Sequence, residues 1–133
     1  MFSLDSSTAI DFLRHPPPSL IERMGRARDA GELHLSSIVL FELSYGAERR
    51  VHPTHMDRLR TFLQGGVAIL DFDADDAWFA GELRASMERQ GGPIGPYDTL
   101  IAAQALRRDL TLVTANTREF GRVPALKLEN WRA

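Results

Sequence analysis

Short apolar runs separated by segments of helical spacing constrain this chain more than any other feature. Leu33-His34-Leu35, Val67-Ala68-Ile69-Leu70 and Leu110-Thr111-Leu112-Val113-Thr114 have the length and composition of strands, and Met1 to Leu4 reads as another at the amino terminus. Between them the spacing predicts helices over about Ser7 to Arg14, Ser19 to Ala30, Ile38 to Arg49, Thr54 to Gln64, Asp73 to Gln90, and Pro96 to Asp109. Pro16-Pro17-Pro18, Gly31, Gly65-Gly66 and Gly91-Gly92-Pro93 punctuate them, and Leu126-Lys127-Leu128 reads as a short edge strand. Strands that alternate with helices pair in parallel through right-handed crossovers. The expectation is one compact α/β domain over residues 1–133, with a parallel sheet of four to five strands and helices on both faces.

With 133 residues and 44% hydrophobic content, the chain is long enough to bury a single core. The absence of cysteine excludes disulfides, thiolate zinc sites and cysteine nucleophiles. No basic segment leads into an apolar one near Met1, and no run is long enough to span a bilayer, so a cytoplasmic protein with no membrane contact is expected. A formal charge of −2 argues against coating nucleic acid by bulk electrostatics, so any such contact must be local. Arg49-Arg50 and Arg107-Arg108 read as solvated helix faces.

Three carboxylates sit where carboxylates are uncomfortable. Asp98 lies in line with Ile101, Ala102 and Ala105, on the stripe its helix should bury. An acid in the first turn also offsets the helix dipole, but no Lys or Arg shares the stripe, which leaves a metal ion or a distant residue as partner. Glu42 falls within an apolar stripe of Ile38, Val39, Phe41 and Tyr45, where its plainer role is a rim residue paired with Arg49 or Arg50. Asp5 follows a strand at its carboxyl end, the side on which open parallel sheets bind ligands. It is a possible N-cap, although Ser6 and Ser7 are available for that task. Inward-pointing like charges that converge are tolerated around a cation.

The residues Leu4-Asp5-Ser6-Ser7, Ser37 to Ala47, Ile94 to Ala103 and Leu112 to Phe120 resemble, in order, the motifs of PIN-domain proteins, specifically VapC-type toxins of bacterial toxin–antitoxin pairs. Val123 to Trp131 is similar to the family's final strand and tail. The resemblance implies a domain whose carboxylates gather at one end of a parallel sheet and bind Mg²⁺ or Mn²⁺ to cleave RNA. Asp5, Glu42 and Asp98 fall on the family's acidic positions; Asn116 falls on a fourth that is Asp in many relatives, leaving the site one negative charge poorer. Where the family's first motif often reads Asp-Thr-Asn, Asp5-Ser6-Ser7 keeps a hydroxyl and loses the amide.

Hard oxygen ligands favour Mg²⁺ or Mn²⁺ over zinc. On this reading Asp5 and Asp98 hold the ion, Glu42 holds or deprotonates a bound water, and Asn116 offers a carbonyl oxygen or orients water. Ser6, Thr114 and Thr117 are candidate phosphate contacts, with turn closure the alternative for the two threonines. The resemblance also implies a homodimer, a larger toxin–antitoxin assembly, and an antitoxin that wraps the early helices and places a cation near the carboxylates. Leu40 and Leu43, off the main stripe of their helix, are the apolar surface for such contacts or further core.

Other features read as structural. His15, His34, His52 and His55 are isolated, Gly91-Gly92-Pro93-Ile94-Gly95 is not followed by Gly-Lys-Ser/Thr as a phosphate loop requires, and Trp78 and Phe79 read as core. Two other functions compete with RNA cleavage. One is a catalytically weakened PIN-like RNA-binding protein, suggested by Asn116; the other is a Mg²⁺-binding phosphoacceptor domain that accepts phosphate at Asp5.

Overall fold

The computed structural model describes residues 1–50 and 53–132, so His52 lies outside the described residues. In chain order the elements are β1 (Phe2–Leu4), α1 (Ser6–Arg14), α2 (Pro18–Asp29), β2 (Leu33–Ser36), α3 (Ser37–Arg49), α4 (Pro53–Gln64), β3 (Ala68–Leu70), α5 (Ala74–Arg89), α6 (Pro96–Arg107), β4 (Thr111–Val113), α7 (Thr117–Phe120) and β5 (Leu128–Glu129). Each predicted strand and helix is present within a residue or two, except that the edge strand starts at Leu128. The four-residue α7 was not anticipated, because so short a helix has no periodicity to read.

The five strands are parallel, in the order β3-β2-β1-β4-β5. From β1 the chain steps outward to β2 and β3, then returns through α5 and α6 to β4 on the other side of β1. Right-handed crossovers running in opposite directions put helices on both faces. They also part the loops that leave the carboxyl ends of β1 and β4, which is where doubly wound sheets bind ligands. Asp5 and Thr114 are the first residues after those two strands, in register as neighbours.

The strand residues Leu4, Leu35, Leu112 and Val113 are fully buried and form one core with Val39, Ile101 and Ala102 of the covering helices. The tail closes it: Trp131 is buried, packs edge-on against Phe2 with ring centres 5.1 Å apart, and donates its indole N–H to Glu129 at 3.0 Å.

Three expectations about helix faces are corrected. α3 buries Val39 and Leu43, four apart, and exposes Phe41 and Tyr45; Leu43 is therefore core and Leu40 packs against it. The rings of Phe41 and Tyr45 stack at 6.5 Å, and Phe41 also meets exposed Tyr97 of α6 at 5.7 Å. Trp78 is 77% exposed rather than core, since α5 turns Asp76 and Ala80 inward instead. Arg107 and Arg108 are not a solvated pair: both guanidinium groups clamp the fully buried Asp76 carboxylate, at 2.7 and 2.8 Å, and tie α6 to α5. Burial alone would raise the Asp76 carboxyl. Hydrogen bonds from Arg108, the Asp73–Asp76 capping box, Arg107 and Gln104 outweigh it and hold the group well below the usual carboxylate range.

Candidate active site

Asp5 is fixed by what surrounds the end of β1. It is the N-cap of α1, accepting the Thr8 backbone N–H at 2.9 Å, so the capping role is real and Ser6 and Ser7 do not take it over. Ser7 Oγ donates to the same carboxylate at 2.9 Å, and Thr114 Oγ1 donates to Oδ2 from the end of β4. Asp5 is buried and Thr114 fully so. Thr114 therefore holds the Asp5 carboxylate across β1 and β4, and its hydroxyl also accepts the Asn116 backbone N–H in the turn that follows β4.

Glu42 comes from α3, started by Ser36, whose hydroxyl accepts the Ile38 N–H. Its partner is Ser6 Oγ at 2.9 Å; among the described residues it has no ion pair with Arg49 or Arg50. Ser6 thus ties α1 to α3 and positions a carboxylate.

Asp98 stands at the start of α6, where Gly95 is the N-cap and Pro96 occupies the first turn. Ile101, Ala102 and Ala105 are buried below it, as their spacing with Asp98 requires. The Asp98 carboxyl is pushed up to about 7, first by burial, then by the charge of Glu119 and a hydrogen bond with it, then by Glu42 and Asp5. All of its charged neighbours named here are anions.

Glu119 is the acidic residue that sequence reasoning missed. One of its oxygens accepts the Gly95 N–H at 3.0 Å and the other accepts the Asn116 side-chain amide at 2.6 Å. A methyl group added at Gly95 would sit 3.4 Å from Asp98 Oδ2 and 3.7 Å from Glu119 Oε1, in ordinary contact with both, so the two carboxylates flank the start of α6. Asn116, whose backbone N–H bonds Thr114 Oγ1 at 2.9 Å, thus gives its side-chain N–H to Glu119. Its signal was the spacing: an acid three residues beyond Asn116, one helical turn on. Thr117, the first residue of α7, is exposed.

Asp5, Glu42, Asp98 and Glu119 therefore meet at the carboxyl end of the sheet, drawn from the ends of β1 and from α3, α6 and α7. Among the described residues, no three acidic or histidine side chains crowd closely enough to cage an ion by themselves. The donor set still suits a hard divalent cation, because Mg²⁺ is held by one or two carboxylates with water completing its octahedron. Burial is the first cause of the raised Asp98 carboxyl and the charges of Glu119, Glu42 and Asp5 follow; a cation among these acids would offset the latter. His34 points its Nδ1 at the carbonyl oxygens of Phe2 and Glu32 and serves the backbone.

The PIN domain family model matches residues 3–126. The chain is 41% identical to the tRNA(fMet)-specific endonuclease VapC of Shigella flexneri, covering 98% of this chain and 97% of that protein. It is 36% identical to Ribonuclease VapC2 of Rickettsia felis, covering 98% of each. Among solved structures, VapBC2 of Rickettsia felis bound to a DNA fragment from its promoter superposes with a TM-score of 0.91 at 35% identity, covering 98% of each chain. DNA-bound VapBC of Salmonella typhimurium gives 0.85 at 36% identity, covering 98% and 97%.

Proposed function

The chain belongs to the PIN-domain family, and we propose that it is a divalent-metal-dependent endoribonuclease, the toxin of a toxin–antitoxin pair. The observation that carries this reading is the convergence of four carboxylates at the switch point of the sheet with no Lys or Arg bonded to them among the described residues. Purified protein incubated with a panel of cellular RNAs should cut a subset in Mg²⁺ or Mn²⁺ and none in chelator, and Asp98→Asn should cut none. Metal-independent RNA binding without cleavage would favour the weakened RNA-binding reading, and phosphate transfer to Asp5 the phosphoacceptor one.

Asp5 and Asp98 are the residues that would hold the ion, Asp5 because its hydrogen bonds fix its orientation and Asp98 because its charge is least compensated. The ion supplies Lewis acidity, making bound water acidic and offsetting charge on the scissile phosphate. Glu42, held by Ser6, accepts a proton from the attacking water. Glu119, aimed by Asn116 and the Gly95 N–H, steers a water or the second flank of the phosphate.

A cognate antitoxin partner follows from the likeness to VapBC complexes. The homodimer would draw on the exposed rings of Phe41, Tyr45 and Tyr97, since Leu40 and Leu43 are committed to the core. A toxin that cleaves cellular RNA acts where that RNA is, so we assign the protein to the cytoplasm; among the described residues no helix is long and apolar enough to cross a membrane.

A further inference from the structure

A cavity of about 150 Å³ opens between α1, α3 and α4, and Glu42 of the acidic end forms part of its wall. Four arginines line it: Arg14 at the end of α1, Arg49 and Arg50 at the end of α3, and Arg58 of α4. Its floor is apolar, including Leu43 and Leu59, both buried in the core. None of the four guanidinium groups has an ion pair with a described acidic residue. Arg58 is steadied by the Leu13 carbonyl at 3.3 Å, and Arg49 lies over the Tyr45 ring at 5.7 Å.

Charge balance says why such a pocket belongs beside the site. Four carboxylates carry up to four negative charges, and one divalent ion offsets two of them, leaving two that repel an RNA phosphate. A protein with net charge −2 has no bulk field to overcome that repulsion, so the compensation must come from a local cluster. Resting on the ribonuclease reading, we propose that this pocket is a substrate-binding subsite: Arg14, Arg49, Arg50 and Arg58 grip backbone phosphates of the RNA strand on the Glu42 side of the cleaved bond. The apolar floor then receives the face of an unpaired base. Four arginines beside Glu42 favour RNA, whose backbone carries an anion at every nucleotide, over an antitoxin segment that brings a cation to the carboxylates.

The test is equilibrium binding of an end-labelled single-stranded RNA to the full chain, in an Asp98→Asn background with chelator so that nothing is cut. Arg14 and Arg50 make no side-chain hydrogen bond or ion pair among the described residues, so Arg14→Gln with Arg50→Gln leaves the fold intact. This double variant should weaken RNA binding by about tenfold or more and lower the slope of log K against log salt by about 0.7 per arginine. Arg14→Lys with Arg50→Lys should restore most of both. Unchanged affinity and slope would overturn the subsite, as would intact RNA binding combined with lost affinity for an acidic antitoxin peptide. If wild-type protein cuts RNA in Mg²⁺ while the glutamine variant binds normally, the subsite fails alone; if wild-type protein neither binds nor cuts RNA, the nuclease reading falls with it.

Discussion

The side-chain amide of Asn116 donates to Glu119 at 2.6 Å, and through that bond an uncharged residue sets the direction of a charged one. Glu119→Gln should therefore lower metal-dependent cleavage by about 10- to 100-fold, the effect usual for a residue that orients metal ligands, without a large change in melting temperature. Asn116→Asp should do more harm than its resemblance to the family pattern suggests, because it swaps a donor for a carboxylate facing Glu119. Its melting temperature in chelator should fall below that of wild type, and added Mn²⁺ should recover more of it than in wild type.

Asp98 gives the fold a pH dependence with a definite sign. Its carboxyl titrates near 7 in the folded protein, raised first by burial and then by Glu119, against 3.8 in an unfolded chain. The folded state therefore holds a proton that the unfolded state has released, and stability from this group falls as pH rises from about 4 toward 7. Thermal melts in chelator should show the wild type losing stability across that window and Asp98→Asn losing less. Saturating Mn²⁺ should raise the wild-type melting temperature near pH 8 and leave the variant nearly unmoved.

Asp5 performs two tasks that two substitutions separate. Asparagine keeps a side-chain oxygen for the Thr8 N–H, whereas alanine removes the cap and leaves the buried Thr114 hydroxyl without its acceptor. Both variants should lose cleavage. In urea denaturation, Asp5→Ala should cost about 2 kcal/mol and Asp5→Asn clearly less.

The buried cluster around Asp76 lies away from the acidic end and should affect stability alone. Asp76→Ala removes a charged acceptor from Arg107, Arg108 and Gln104, which keep partners at Asp71 and Asp73, and its expected cost is about 2–3 kcal/mol in chemical denaturation. Cleavage per folded molecule should be unchanged. The folded-state carboxyl lies below its unfolded value of 3.8, so this stabilisation is fully present above that pH and fades as pH falls further.

What could be read in the residues was what repeats or what sits oddly. Asp5 after a strand and Asp98 above Ile101, Ala102 and Ala105 were visible because position along a regular element predicts direction. Side-chain identity was a poorer guide. Phe41, Tyr45 and Trp78 are large and apolar, yet all three stand exposed, while Asp76 is buried because Arg107, Arg108 and Gln104 happen to reach it from α6. Those partners lie 28 to 32 residues away, and only the packing of α5 on α6 brings them together. Glu119 escaped for a related reason: its role depends on Gly95, 24 residues earlier, and on a helix too short to leave a periodic trace.

The central position of β1 has a consequence for synthesis. A ribosome delivers β1 first, yet its neighbour β4 emerges more than a hundred residues later, and the hydroxyl that clasps Asp5 comes from Thr114. Until that stretch has left the exit tunnel the sheet lacks half of its middle, and the acidic end has neither Thr114 nor Glu119. A nascent chain whose β4 is still inside the tunnel therefore lacks the contacts that orient Asp5 and Asp98, and the acidic end is assembled only once Thr114 and Glu119 have emerged.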